Sequence, residues 1–203
     1  MAVPRTYLAA LAITAVCATV TAASSGTALR RPSPPLPEYG IVPAFTLRDH
    51  RGQPLTREDM TGSVWIADFI FTRCAGQCPL MTERMTQLQR QLSGEPDLRL
   101  VSFSVDPAHD TPETLAAYAR RSGAGPRWRF ATGPMDAVRA LVQDGFRLGM
   151  SEEGTEAEPI THSVRLVLVD RQGRIRGYYD AMEESAVARL TEDARRLLKE
   201  PRG

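Results

Sequence analysis

The 203-residue sequence predicts an α/β domain in which helices cover both faces of a central mixed sheet, as a three-layer sandwich. Three observations lead to this prediction. Residues 64–71 are apolar on both faces, as a central strand between two helical layers would be. Strand-like apolar segments alternate along the chain with segments whose apolar residues recur at helical spacing. Two late strands flank a short turn at residues 171–174, which indicates an antiparallel hairpin.

The N-terminal 28 residues are predicted to be a membrane anchor or a signal peptide. Arg5 precedes an apolar run over residues 7–23, which contains Cys17. The run has about the minimum length for a bilayer span and would also serve as the core of a signal peptide. Both alternatives stay open, and both place the rest of the chain outside the cytoplasm because the charged N-terminus stays inside. Residues 29–42 are proline-rich and are expected to form a stiff, extended linker.

The globular domain is expected over residues 43–203, and its elements follow in a regular order. The predicted strands cover residues 44–47, 64–71, 98–105, 164–170 and 177–180. Helices are predicted to begin at Pro79 and at Pro112, to follow the turn at 131–134 as far as about Gln143, and to close the chain with Val187, Leu190, Ala194, Leu197 and Leu198 on one side. A thioredoxin-like fold accounts for this order.

Charge and composition argue against a nucleic-acid-binding protein. The chain has 25 basic and 24 acidic residues, so its formal net charge is only +1. Its arginines are scattered and form no stripe along one predicted element. No bulk field or basic footprint for nucleic acid is therefore present in the sequence.

Cys74 and Cys78 are the most informative residues, because they lie between a predicted strand end and a helix start. Ligands bind at this position in open α/β sheets, and a helix N-terminus is expected to lower thiol pKa values. Three residues separate the thiols, whereas redox motifs of the thioredoxin type have two. Gly76 within this longer turn lets both sulfurs face one space without forcing a disulfide. Two thiolates suit Cu(I), or Zn(II) if four ligands are available, so further ligands must come from elsewhere.

His162 is the best-placed third ligand among the three histidines. It directly precedes the strand starting at Val164, and in a thioredoxin-like fold the preceding loop approaches the thiol-bearing turn. His50 and His109 are interpreted as exposed turn residues. Asp106 ends a strand beside the thiol strand and is expected to lie near the site, where it would tune charge or orient a ligand. Met81 and Met85 are interpreted as core residues, because methionines one helical turn apart usually pack inside.

Several ordered motifs together resemble the Sco/SenC family of copper chaperones for cytochrome c oxidase assembly. The matching residues are 45–47, 49–52, 68–74, 78–81, 104–107, 110–112, 161–163, 168–170 and 173. The resemblance covers about residues 43–200, and several motifs in order are far more specific than one cysteine pair. It implies a thioredoxin-like Sco domain on a membrane tether that faces the periplasm or the outer face of the membrane.

The resemblance also implies a copper site and a set of partners. One copper ion would be bound by Cys74, Cys78 and His162, as Cu(I), with Cu(II) left open as a second state. The protein would deliver copper to the dinuclear copper site of cytochrome c oxidase subunit II, or keep the cysteines of that site reduced. Other copper chaperones are expected partners, as is the membrane if the N-terminal segment is uncleaved.

A second hypothesis stays open beside the metallochaperone. The Cys74/Cys78 pair would then act as a thiol–disulfide oxidoreductase without obligatory copper. His162 separates the two hypotheses, because electron exchange between thiols does not require it.

Overall fold

The computed structural model describes residues 34–151 and 160–201. The chain from Pro35 onward forms one compact unit. The expected anchor or signal peptide and the glutamates of the 151–159 loop (Glu152, Glu153, Glu156 and Glu158) lie outside the described residues. None of the helices in the two described ranges combines the length and apolar character that a bilayer crossing requires.

The described residues form ten strands and four α-helices. The strands are β1 (Gly40–Ile41), β2 (Thr46–Asp49), β3 (Pro54–Thr56), β4 (Val64–Ile70), β5 (Leu98–Ser104), β6 (Trp128–Thr132), β7 (Met150–Ser151), β8 (Thr161–His162), β9 (Arg165–Val169) and β10 (Arg174–Asp180). The α-helices are α1 (Cys78–Gln91), α2 (Pro112–Arg121), α3 (Met135–Ala140) and α4 (Glu184–Lys199). A 3-10 turn covers Glu58–Met60, and a π-helical turn, Leu141–Gly145, extends α3.

Eight of these strands form one mixed sheet, which confirms the predicted α/β class. Their order is β1-β10-β9-β4-β5-β6-β2-β3, and β7 and β8 form a separate two-stranded ribbon. The central strands β4, β5 and β6 are parallel and are joined through α1 and α2, while β9 runs antiparallel to β4. The predicted hairpin is β9 and β10, which pair antiparallel with a bulge between Ile175 and Gly177.

The centre of the sheet is β4, whose seven residues are all buried. On one face Trp65 and Phe69 pack against Phe146, with ring centroids 5.9 and 5.1 Å apart. Helices α1 and α4 both contact β4 and each other. Met81 and Met85 of α1 are fully buried, which confirms that they are core residues. The apolar side of α4 is buried at Val187, Leu190, Ala194 and Leu197, as predicted.

The end of the expected linker is part of the folded domain. The Arg176 guanidinium donates hydrogen bonds to the carbonyls of Pro37 (2.9 Å) and Leu36 (2.8 Å). The next residues pair with β10 through β1, and Val42 is fully buried. A proline-rich sequence predicts an extended chain. It does not reveal that this chain pairs with the edge strand β10 and accepts hydrogen bonds from the buried Arg176. A free spacer would therefore end before residue 36 rather than at residue 42.

Candidate metal site

The two thiols occupy the turn between β4 and α1. Cys74 is half-buried and its N–H donates to the Phe71 carbonyl at 3.2 Å. Cys78 is fully buried and is the first residue of α1, so the helix begins one residue before Pro79. Both cysteines are free thiols. The strand end, the turn and the helix start therefore place the two sulfurs at the carboxyl edge of the sheet, as the sequence predicts.

His162 meets this turn from a distant part of the chain. Its Nε2 lies 3.5 Å from the Cys78 Sγ, although the two residues are 84 positions apart. Its Nδ1 lies 3.1 Å from the Ser163 carbonyl oxygen, which can only accept a hydrogen bond. In the neutral ring the proton is therefore on Nδ1, and the Nε2 lone pair faces the thiols.

Short backbone and ring contacts hold the imidazole in place. His162 lies in β8, opposite Met150 of β7, and the N–H of Ser163 donates to the Gly149 carbonyl at 3.1 Å. The Phe71 ring meets the His162 ring edge-on at a centroid distance of 5.8 Å. A small cavity of about 100 Å³ opens beside these groups and is lined by Phe71, Cys74, Gln77, Ile160, Thr161 and His162.

These residues supply a soft, incompletely assembled donor set. Within residues 34–151 and 160–201, no three His, Cys, Asp or Glu side chains are already gathered around a point where a metal would sit. The contact between Cys78 and His162 is in place, and Cys74 is close enough to raise the pKa of Cys78. Two sulfurs and one imidazole nitrogen fit a soft, low-coordinate metal ion. Cys74 and His162 line the same cavity, and the Cys78 sulfur lies against His162 at its edge.

The pKa of Cys78 differs from the sequence-based expectation. Burial raises the pKa of this thiol far above its usual range, and the neighbouring groups Cys74 and Asp68 act in the same direction. The helix N-terminus was expected to lower it, but the cost of burying a thiolate is larger. The neutral thiol is therefore the favoured form of Cys78 in the folded protein.

Two buried carboxylates anchor the segment that carries Cys74. Asp110 accepts hydrogen bonds from the Thr72 N–H (3.1 Å), the Thr72 hydroxyl (2.5 Å) and the Ser104 hydroxyl (2.6 Å). Asp106 accepts from Arg73 Nε (2.6 Å) and pairs with His109 Nδ1 (2.9 Å). Asp106 thus lies near the site, as predicted, and acts on the turn through Arg73. Asp110 was not singled out, although its position in the 110–112 motif was the available signal.

A model of the SCO1/SenC family matches residues 34–199, which include all of these site residues. The chain belongs to the SCO1/SenC family. A SCO1 protein homolog of Bacillus subtilis (strain 168) is 32% identical over 160 residues, which cover 77% of this chain and 82% of that protein.

Solved SCO1/SenC structures share the thioredoxin-like fold. A SCO1/SenC family lipoprotein from Bacillus anthracis str. Ames has a TM-score of 0.73 at 29% identity, covering 79% of this chain and 96% of that one. BsSco, a member of the Sco family of cytochrome c oxidase assembly proteins with an identified disulfide switch, has a TM-score of 0.72 at 30% identity, covering 82% and 97%. Yeast Sco1 with copper bound has a TM-score of 0.62 at 25% identity, covering 77% and 88%.

This SCO1/SenC protein also has a buried carboxylate that sequence reasoning passed over. Asp68 lies within the apolar β4 and is completely buried. Neither of its oxygens makes a hydrogen bond of ordinary geometry within the described residues. Burial raises the pKa of Asp68 from 3.8 to about 7, and Ser102 on β5 offsets this only in part. The signal in the sequence was one acidic residue inside an apolar run.

Asp68 should make the stability of the SCO1/SenC domain depend on pH. Between about pH 4 and 7 the folded state holds a proton that the unfolded state has released, so stability falls as pH rises through this window. In an Asp68→Asn variant, which cannot ionise, we expect the loss of unfolding free energy between pH 5 and 8 to shrink by about 2–3 kcal/mol. Urea unfolding of both proteins at the two pH values measures this difference.

The matched control for this prediction is Asp136→Asn, because the Asp136 side chain is 97% exposed. The control should keep the pH dependence of the wild-type protein. An Asp68→Asn protein with that same dependence would show that Asp68 does not titrate in this window.

The other two histidines of the SCO1/SenC domain lie outside the thiol site, but only one is exposed. His109 is exposed and pairs with Asp106, as described above. His50 is half-buried, and the interpretation of it as an exposed residue is wrong. Its Nδ1 accepts a hydrogen bond from the Phe130 N–H at 3.1 Å, and burial lowers its pKa. The turn of the β2–β3 hairpin folds back onto β6, a strand that the sequence did not predict.

Proposed function

We propose that this protein is a copper metallochaperone of cytochrome c oxidase assembly that holds one copper ion with Cys74, Cys78 and His162. The observation that carries the proposal is the 3.5 Å approach of His162 Nε2 to Cys78 Sγ. A pair of thiols that only exchanges electrons has no need of an imidazole nitrogen aimed at its buried member. The yeast Sco1 structure with copper bound supports the same chemistry for this fold.

Each proposed ligand has a distinct part in binding and release. His162 offers the Nε2 lone pair without losing a proton, because Nδ1–H is held by the Ser163 carbonyl. Cys78 is buried and must give up its proton when the metal binds. Cys74 is half-buried and lines the open cavity together with His162, so it is the sulfur that an acceptor protein can reach first. A two-sulfur, one-nitrogen set suits Cu(I).

The thiol–disulfide oxidoreductase hypothesis remains the second candidate function. The position of two free thiols across one turn favours it, and Cys74 is close enough to raise the pKa of Cys78. Oxidation to a disulfide would form one S–S bond and release two protons and two electrons to an acceptor. It would also remove two of the three proposed ligands. Copper occupancy and redox state are therefore coupled in either role.

We also propose the finer partners and location that the family suggests. The copper acceptor is the dinuclear copper site of cytochrome c oxidase subunit II, whose cysteines this protein would alternatively keep reduced. BsSco, described as belonging to a family of oxidase assembly proteins, supports this acceptor. An extracytoplasmic location, with tethering through the N-terminal segment, agrees with the lipoprotein from Bacillus anthracis.

Titration of the fully reduced protein with Cu(I) under anaerobic conditions tests the proposal. We expect one equivalent to bind tightly, with sulfur and nitrogen ligands visible by X-ray absorption spectroscopy. Because the pKa of Cys78 is raised, Cu(I) must displace a proton there, so its affinity should fall by at least about tenfold for each unit of pH decrease. Weak or multiple binding with no nitrogen ligand would contradict the proposed site and favour the oxidoreductase.

A further inference from the structure

A second, larger pocket opens beside the ribbon that carries His162. It has a volume of about 310 Å³ and is lined by Tyr39, Arg147, Leu148, Gly149, Ser163, Arg165 and Tyr178. Ser163 directly follows His162 in the chain, and its N–H is bonded to the Gly149 carbonyl. We call this the Arg147 pocket. None of the three proposed copper ligands lines this pocket, and Ser163 links its wall directly to His162.

The fold holds Arg147 in this pocket at some cost to its backbone. Arg147 has φ of 53°, a left-handed conformation that is uncommon for residues other than glycine. Its neighbours Phe146 and Leu148 are both buried, and the Tyr178 hydroxyl donates to the Phe146 carbonyl at 3.1 Å. Strained conformations persist where the surrounding structure determines them, and they concentrate at functional sites.

Gly40 makes room for the Arg147 side chain. A Cβ added at Gly40 would lie 3.3 Å from the Arg147 guanidinium, which is closer than ordinary packing allows. The absence of a side chain at Gly40 thus lets the guanidinium lie against β1 at the pocket wall.

Among the described residues, the pocket is lined by two arginines and by no acidic side chain. Within residues 34–151 and 160–201, nothing forms a hydrogen bond or ion pair with the Arg147 guanidinium. Arg165 has only a long contact of 3.7 Å with Asp180. The described lining contains no carboxylate, although the chain as a whole is nearly neutral. Two guanidinium groups in one open pocket favour an occupant with carboxylate groups.

The remaining wall of the pocket is aromatic. Tyr39 and Tyr178 meet edge-on at a centroid distance of 5.2 Å, and Tyr39 remains 44% exposed. Tyrosine and arginine, with tryptophan, are enriched at protein-binding hot spots. The wall therefore suits a polypeptide segment with apolar side chains beside its carboxylates better than a free inorganic anion.

We propose that the Arg147 pocket docks an acidic segment of the protein that receives the copper. This inference rests on the proposed function, because an acceptor is needed only if copper is transferred. Docking beside Ser163 would bring the acceptor within reach of Cys74 and His162 while leaving all three ligands free. The two arginines would select an acidic surface and accelerate its association, as complementary charges do across interfaces.

An Arg147→Glu variant tests the proposal against an Arg90→Glu control. Arg90 is exposed, lies in the last turn of α1 and is far along that helix from Cys78, and the charge change is the same. Each full-length protein is loaded with Cu(I), and its transfer rate to the purified copper-binding domain of oxidase subunit II is measured at low and high salt. Cu(I) affinity is measured separately by competition with a chelator.

We expect Arg147→Glu to keep the wild-type Cu(I) affinity and to transfer copper at least about tenfold more slowly at low salt. Its transfer rate should also depend less on salt than that of the wild-type and Arg90→Glu proteins. Equal transfer rates for the two variants would overturn the docking proposal and leave the metallochaperone intact. If the wild-type protein itself bound Cu(I) only weakly, both the docking proposal and the metallochaperone proposal would be overturned. Competition by millimolar citrate, with equal rates for the two variants, would identify a small-anion site and also overturn the docking proposal.

Discussion

A His162→Ala variant should bind Cu(I) at least about a hundredfold more weakly than the wild-type protein. Removing groups that merely orient a metal ligand already costs about 10–100-fold in affinity, and this change removes the ligand itself. The Nε2 atom is the only nitrogen shown within 3.5 Å of Cys78 Sγ among the described contacts. The thiols remain in place, so the variant should still oxidise to a disulfide and be reduced again. Chelator competition and thiol titration on the same sample measure the two properties.

His109→Ala is the matched control, because His109 is exposed and its ring pairs with Asp106 rather than with a thiol. It should keep the wild-type Cu(I) affinity within a few fold. Comparing the Cu(I) affinities of the two variants then distinguishes the metallochaperone from the oxidoreductase. If His162→Ala bound Cu(I) as tightly as His109→Ala and supported oxidase assembly equally well, the imidazole would not be a ligand. The thiol–disulfide oxidoreductase hypothesis would then be preferred.

The features that the sequence predicted are those encoded by long, regular segments. The apolar run of β4 and the helical stripe of α1 gave the strand–turn–helix that carries Cys74 and Cys78. The residues of β4 are buried, and so are Met81 and Met85 on the apolar side of α1. His162 could be ranked first among the candidate third ligands because it precedes a clear strand. These signals are local in the sequence, so they can be recognised without knowing which elements pack against them.

The features that the sequence did not reveal depend on contacts between distant segments. Strands β1, β7 and β8 are two residues long, too short for any alternation, and they exist because other strands or chain segments offer hydrogen-bond partners. The raised pKa of Cys78 has the same origin. A helix N-terminus is visible in a sequence, but the burial that outweighs it is created by packing.

Replacing Asp110 with alanine should destabilise the domain more than any other single change to the cysteine turn. Asp110 is fully buried, and it accepts hydrogen bonds from the Thr72 N–H, the Thr72 hydroxyl and the Ser104 hydroxyl. Removing the carboxylate leaves the buried Ser104 hydroxyl and the half-buried Thr72 donors without this acceptor. We expect a loss of about 3–5 kcal/mol in the free energy of unfolding, measured by urea denaturation.

The same change should loosen the proposed copper site, because Thr72 lies two residues before Cys74. We expect Cu(I) affinity to fall by about 10–100-fold and alkylation of Cys74 to become faster. Thr72→Val, which removes the hydroxyl bond alone, supplies a milder test if Asp110→Ala does not fold. Asp106→Ala is the comparison. The partner of Asp106, Arg73, is 43% exposed, so losing this ion pair should lower the free energy of unfolding by less. If Asp110→Ala and Asp106→Ala had equal effects on stability and on copper, Asp110 would not be the anchor of the turn. A large loss of stability without any loss of Cu(I) affinity would show instead that the ligands are held by α1 and β8 alone.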